Sequence, residues 1–243
     1  LKLDLKILNA GDSALFCNFG DKISIEINNE VYALDRYIKS KVNSVIETVP
    51  SYTGLMVYFN PIKTDREELL VEIMKFSGST ENGEIDKQSE KIVIPVFYGK
   101  EYGPDLYHVA EINKLSIDEV VEIHISVNYR VYMLGFTPGF PYLGGMDRCI
   151  YAPRKDEPRL KISAGSVGIA GDQTGIYPIE SPGGWQIIGR TPVRLFSPDS
   201  NNPFLIIPGQ LLQFRKIEFE EYIYINREVN NNTYLPETSI LQP

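Results

Sequence analysis

Apolar and polar positions alternate from Leu3 in LKLDLKILN, and a second short apolar run, ALFCNF, follows the turn pair Gly11-Asp12. A period of two is the mark of a strand with one buried face, so this opening predicts two strands. Ile27, Val31, Leu34 and Ile38 then recur at helical spacing within residues 23–41 and predict an amphipathic helix. NSVIETV and GLMVYFN read as a strand pair about the turn at Pro50-Ser51. DREELLVEIMKF reads as a second helix, capped by Asp65. The order strand, strand, helix, strand, strand, helix suits a small sheet with its helices on one face.

Residues 77–91, SGSTENGEIDKQSEK, hold one strongly apolar residue, Ile85, among Ser, Gly and charge, and so predict a linker. IVIPVFY restarts a strand, GPDLYHVAEINKL predicts a helix, and SIDEVVEIHI predicts another, opened by a capping box from Ser116 to Glu119. From Tyr129 to about Ile207 only short strand-like pieces occur, divided by Gly and Pro. That spacing predicts an antiparallel barrel or sandwich rather than βαβ repeats. A last helix is expected from Glu218 to Arg227, with a loosely held tail after Asn230. The fold class is therefore α+β. A small α/β domain is expected over 1–80, a linker over 81–91, and a β-barrel domain with a C-terminal helix and tail over 92–243.

The composition, 43% hydrophobic and 23% charged, is that of a soluble globular chain. No apolar run approaches the roughly 20 residues that cross a bilayer, and no signal-peptide pattern is present. A net charge of -8 argues against nucleic acid and anionic membrane as partners. Cys17 and Cys149 lie far apart, and two histidines complete no usual ligand set, so neither a disulfide framework nor a metal site is expected. Two reduced thiols suit a cytoplasmic protein. The charge is uneven, however. Between Arg130 and Arg194 eight basic residues face five acidic ones, so this window carries +3 and the remainder -11. The same window holds 11 of the 19 glycines, which brings most of the flexible backbone and the excess of cations together.

Several motifs in that window can be weighed for chemistry. AGSVG at Ala164 has the outline of a nucleophile elbow, but no helix pattern follows Ser166 and both histidines precede it. Ser166 fits a turn held by backbone hydrogen bonds better than a nucleophile. No phosphate-binding loop of the GxxxxGK[ST] or GxGxxG type is present. Arg154 and Arg159, in PRKDEPRLKIS, and Arg190, in GWQIIGRTPVR, offer guanidinium forks for carboxylate or phosphate. The alternative is a set of solvated arginines paired with Asp156 and Glu157. Trp185, in SPGGW, is either a core aromatic or an apolar wall beside exposed backbone. His124 is the one candidate general base, and it reads more readily as a packed, hydrogen-bonded histidine.

GFTPGFPYLGGMD, PRKDEPRLKISAGSVGIAGDQTGIYPIESPGGWQIIGRTP and GDSALFCNFGD together resemble the family of 5-oxoprolinase B subunits. The resemblance runs from about Gly11 to Phe214. That family includes a sporulation-kinase inhibitor, goes also by the name allophanate hydrolase subunit 1, and is similar to half of the carboxyltransferase domain of urea carboxylase. The resemblance implies a cyclophilin-like barrel after the small α/β domain. It also implies an ATP-driven opening of 5-oxoproline to glutamate, carried out only with the 5-oxoprolinase C and A subunits. Arg154, Arg159 and Arg190 would then clamp the substrate. The backbone around Gly165, Ser166, Gly183 and Gly184 would supply N–H donors, with Phe136, Phe140, Tyr142 and Trp185 as an apolar wall or partner contact. Two other activities stay open on this resemblance, docking on a sensor histidine kinase and half of a biotin-dependent carboxyltransferase.

Overall fold

A computed structural model describes residues 5–76, 78 and 90–240. The chain divides into two compact units, Leu1–Lys87 and Gln88–Pro243. Most of the expected linker, 81–89, lies outside the described residues, while Glu90 and Lys91 already belong to a strand.

The first unit runs β1 (Lys6–Asn9), β2 (Ala14–Asn18), α1 (Ile25–Lys41), β3 (Val45–Pro50), β4 (Gly54–Phe59) and α2 (Arg66–Met74), in the order the periodicity predicts. Its sheet is antiparallel throughout, in the order β1-β2-β4-β3. Leu15 and Cys17 on β2 and Leu55, Val57 and Phe59 on β4 alternate onto one face. There they meet Val31, Leu34 and Ile38 of α1 and Leu69 and Ile73 of α2, which is the period-two face packed on the period-3.6 stripe. Ser24 caps α1 by accepting the Ile27 N–H, and Asp65 caps α2 by accepting those of Glu67 and Glu68. Burial pushes the Cys17 thiol up to about 12, so it is inert in this core.

The second unit opens with β5 (Glu90–Tyr98), α3 (Leu106–Asn113), α4 (Ile117–Ile125), β6 (Asn128–Leu134) and β7 (Pro141–Gly144). It continues through β8 (Arg159–Ile162), β9 (Ser166–Ala170), β10 (Gln173–Ile176), β11 (Ser181–Gly183), β12 (Gln186–Arg190), β13 (Leu211–Lys216), α5 (Phe219–Asn230) and β14 (Glu237–Ile240). The strands β12-β9-β10-β7-β6-β13-β5 hydrogen-bond in that order, and β12 pairs again with β5, which closes a seven-stranded barrel. Closure removes the exposed edges that an open sheet of short strands would leave. Its interior is apolar, with Ile92, Ile94, Val96, Tyr129, Val131, Val167, Ile169 and Ile188 among the buried side chains. The β8–β11 pair lies outside the ring as a separate two-stranded ribbon.

Two features depart from the sequence expectation. The barrel is mixed rather than antiparallel, because β13 runs parallel to β5 from Leu211↔Lys91 to Lys216↔Val96. The tail is not loose to its end: β14 pairs antiparallel with β5 from Glu237↔Val93 to Ile240↔Glu90. The free edge of β5 is thus taken by β14 over residues 90–93 and by β12 at 97–98. Pro95, which has no N–H to donate, falls in the interval between them.

Candidate functional site

The histidine expected to act as a base is sealed inside the barrel unit. His124 has no exposed surface, and its ring stacks on Phe214 at a centroid distance of 4.4 Å. Nδ1 lies 2.8 Å from the Tyr98 hydroxyl and Nε2 lies 2.9 Å from Thr174 Oγ1, so both ring nitrogens are satisfied. Burial holds its pKa down near 3 and so keeps the ring neutral. A base must reach the proton it abstracts, and this imidazole reaches only its own partners. His124 is a core residue.

The glycine loops also turn out to be engaged. Gly165 sits at φ +83°, and a Cβ there would fall 2.2 Å from the Thr191 carbonyl oxygen. The Gly165 N–H donates to the Tyr177 carbonyl at 2.7 Å, and the Ser166 N–H donates to the Ser163 carbonyl at 3.2 Å. Neither is available as a donor to developing negative charge, and Ser166 serves the turn, as its surroundings in the sequence imply. Gly183 makes room for the Tyr177 hydroxyl, which lies 2.3 Å from where its Cβ would stand. The Gly184 carbonyl accepts the Lys155 N–H at 2.7 Å. Gly165 and Gly183 thus allow close packing of backbone and ring, whereas a Cβ at Gly184 would meet only ordinary contacts.

The aromatic residues form one nest. Phe140 meets Trp185, Tyr177 and Tyr142 in edge-on contacts, with centroids 5.4, 5.4 and 5.2 Å away. Trp185 and Phe140 are buried, Tyr142 is half-buried, and Phe136 is 64% exposed with φ +65°. Burial raises the Tyr177 phenol to about 12, opposed by a backbone hydrogen bond from Trp185 and by the cations Arg154 and Arg159. Burial raises Tyr142 as well, and Arg154 again opposes it. Both arginines therefore stand at the polar margin of this nest.

The three expected arginines are not one set. Arg159 donates to Asp105 Oδ1 at 2.7 Å and to the Trp185 carbonyl at 3.4 Å. Asp105 is a buried node: its Oδ2 accepts the Ile187 N–H at 2.6 Å, and Lys155 Nζ lies 3.6 Å from Oδ1. Arg190 donates to the Ala164 carbonyl at 2.9 Å, and its guanidinium lies over the Tyr102 ring at 5.9 Å, away from the contacts of the other two. Arg154 alone is exposed and has no hydrogen bond or ion pair among the described residues. The three have separate partners, and among them only Arg154 has neither a hydrogen bond nor an ion pair among the described residues.

Arg154 lines a cleft of ≈ 460 Å3 with His108, Lys155, Asp156, Glu157 and Gln186. Gln186 is 3% exposed; its Nε2 donates to the Pro153 carbonyl at 2.9 Å, while its Oε1 is buried without a donor. An unmet buried acceptor costs about 1–3 kcal/mol, so its retention asks for a reason. Thr137 Oγ1 and Ser181 Oγ are also unmet, but neither lines the cleft. A larger groove of ≈ 1300 Å3, with Phe196, Phe204 and Arg194 on its walls, contains none of the expected site residues. Among the described residues no group of three or more His, Cys, Asp or Glu could hold a metal, and no helix is long and apolar enough to cross a membrane.

The sequence reading passed over Asp105, His108, Tyr177 and Gln186. Asp105 follows a proline at a helix start and looks like a cap, although its carboxylate turns to Arg159 and β12 instead. Gln186 stands beside Trp185, which drew attention first. No short-range pattern distinguishes a buried glutamine with one empty lone pair from any other strand residue.

Comparison with known proteins places this geometry. The carboxyltransferase domain, subdomain C and D, matches residues 5–206. The 5-oxoprolinase B subunit of Bacillus subtilis is 44% identical over 243 residues, covering 93% of this chain and 98% of its own. The chain belongs to the family of 5-oxoprolinase B subunits. The crystal structure of TTHA0988 is similar at 34% identity and a TM-score of 0.75 over 84% of this chain, which spans only 40% of that longer chain. The K. lactis urea amidolyase structure shares the fold, with a TM-score of 0.81 over 99% of this chain and 16% of its own, at 19% identity. The 5-oxoprolinase relationship therefore extends across both units and includes the segments that build the cleft.

Proposed function

We propose that this chain is the B subunit of an ATP-dependent 5-oxoprolinase, which opens 5-oxoproline to glutamate in an assembly with C and A subunits. The observation that carries the reading is 44% identity to a protein of that name along nearly the whole of both chains. The local geometry supports a binding role. Arg154 is unpaired among the described residues, and beside Lys155 it can take a small carboxylate. It does not supply the reaction's own groups, since His124 is sealed and Ser166 belongs to a turn. A site completed by a partner follows from that shortage.

Amide resonance makes the lactam carbonyl a poor electrophile, and ATP would supply its activation. The chain shows no phosphate-binding loop of a recognised type, and ATP would be bound in the assembled enzyme. The two free thiols, Cys17 and Cys149, suit a reducing, cytoplasmic setting. The test is ATP-dependent glutamate release from 5-oxoproline with the partner subunits, with this chain present and withheld. Release should require the chain; an equal rate without it contradicts the proposal. A second reading, half of a biotin-dependent carboxyltransferase, is favoured by the domain family alone. Recovery of a biotinylated carrier with the chain would support it instead.

A further inference from the structure

The segment 151–159 is pinned along its length. The Tyr151 carbonyl accepts from Asn113 Nδ2 at 2.8 Å, and the Pro153 carbonyl accepts from Gln186 Nε2 at 2.9 Å. The Lys155 N–H donates to the Gly184 carbonyl, and Arg159 ends the segment on Asp105. Pro153 and Pro158 narrow its backbone further. Among these pins stand Arg154, Asp156 and Glu157, all exposed and all on the cleft. The pairing of Arg154 with Asp156 or Glu157, which the sequence leaves open, does not form: none of the three has an ion pair or hydrogen bond among the described residues. One fixed segment thus presents charges of both signs to one cleft and keeps them apart. That arrangement is complementary to a molecule carrying a carboxylate beside an ammonium.

5-Oxoproline is not that molecule, but its ring-opened product is. In the closed ring the nitrogen is an uncharged amide, next to the carbon that bears the carboxylate. Adding water across the C–N bond puts the water oxygen on the carbonyl carbon, which becomes a second carboxylate. Both water protons go to the nitrogen, which becomes the ammonium of glutamate. We propose that Asp156 and Glu157 are specificity-determining residues for this product, taking its ammonium while Arg154 keeps the carboxylate it held in the substrate. This rests on the reading of the chain as part of a 5-oxoprolinase. An uncharged amide nitrogen gives the two side chains no charge to pair with, so they act on the opened molecule alone. The new carboxylate, at the far end of the product, is repelled by them and lies away from this end of the cleft. Because the cleft binds the open form more strongly than the closed one, it shifts the bound equilibrium toward opening.

The probes are glutamate and glutarate, which has both carboxylates and no ammonium, as inhibitors of 5-oxoproline turnover by the assembled enzyme. Glutamate should compete with 5-oxoproline and inhibit at least about 10-fold more strongly than glutarate, the scale of one charge-assisted contact. Asp156→Asn combined with Glu157→Gln should remove most of that preference by weakening glutamate. In the same variant 5-oxoproline and glutarate should bind no more weakly than before, since two anions near their carboxylate are gone. Arg154→Met should weaken all three compounds. If the double variant fails to fold, the wild-type comparison still decides, because glutamate inhibiting no better than glutarate overturns the proposal. So does a preference that survives the double substitution, or a variant in which 5-oxoproline and glutamate weaken alike. Any of these results with turnover of 5-oxoproline intact sinks the carboxylate pair alone, whereas no turnover by the wild-type assembly overturns the functional reading and this proposal together.

Discussion

Two polar groups in the barrel unit are built to opposite rules. Around His124 every ring atom able to hydrogen-bond has a partner, and Phe214 covers the ring. Around Gln186 one oxygen has none, and the neighbouring Arg154 has neither ion pair nor hydrogen bond among the described residues. A saturated buried network specifies a core, because each member holds the others in place. An unsaturated one beside an open cleft keeps a cost that folding alone does not require. The contrast separates a histidine that the core engages fully from two cleft residues that it does not, although His124 is the more conspicuous type to read as catalytic.

The largest effect that could break this contrast lies at His124. Replacing it with Ala should cost about 4 kcal/mol, since it empties ring-sized space and strands the Tyr98 hydroxyl, while Thr174 keeps its bond to the Gly168 carbonyl. Denaturant unfolding would read that loss, while turnover per folded molecule in the assembly should hold. The same histidine gives a pH signature. Its folded pKa, near 3, lies below the ordinary value of about 6.5, so the unfolded chain takes up the proton first. Its contribution is complete above that ordinary value and declines as pH falls toward 3, at about 1.4 kcal/mol per unit. Unfolding free energies from pH 7 to 4 should show this slope and lose it in His124→Ala; a slope that survives the substitution would assign it to other groups.

A smaller loss is expected at Arg159. Arg159→Met leaves the buried Asp105 carboxylate with the Ile187 N–H and a distant Lys155. Breaking a buried pair costs about 3–5 kcal/mol, and partial exposure of this arginine reduces that to about 2. Thermal unfolding would measure it. A neutral result would mean that Asp105 does not depend on Arg159 for its charge.

How much of this was legible beforehand follows from range. The first unit was readable because its evidence is local: Ile27, Val31, Leu34 and Ile38 sit a turn apart, and Ser24 and Asp65 cap the helices beside them. The capping box of Ser116 and Glu119 is equally local and equally present. The parallel pairing of β5 with β13 joins Lys91 to Leu211, and the tail strand joins Val93 to Glu237; no pattern within either segment names its partner. The cleft fails to show for the same reason. Arg154 and Gln186 line one cleft although β8, β9, β10 and β11 separate them in the chain. The crowding of Gly183 by Tyr177 likewise turns a sequence cue for an open loop into a packing contact.

The smallest change in stability should accompany the largest change in binding, at Arg154. The decisive measurement is the KM for 5-oxoproline in the assembled enzyme carrying Arg154→Met, with the thermal midpoint of the variant chain beside it. The account predicts a KM raised at least about 10-fold, the scale of one charge-assisted contact, and a midpoint within about 1 °C of wild type because the side chain is exposed and unpaired. An unchanged KM would contradict it, and would move the substrate away from this cleft.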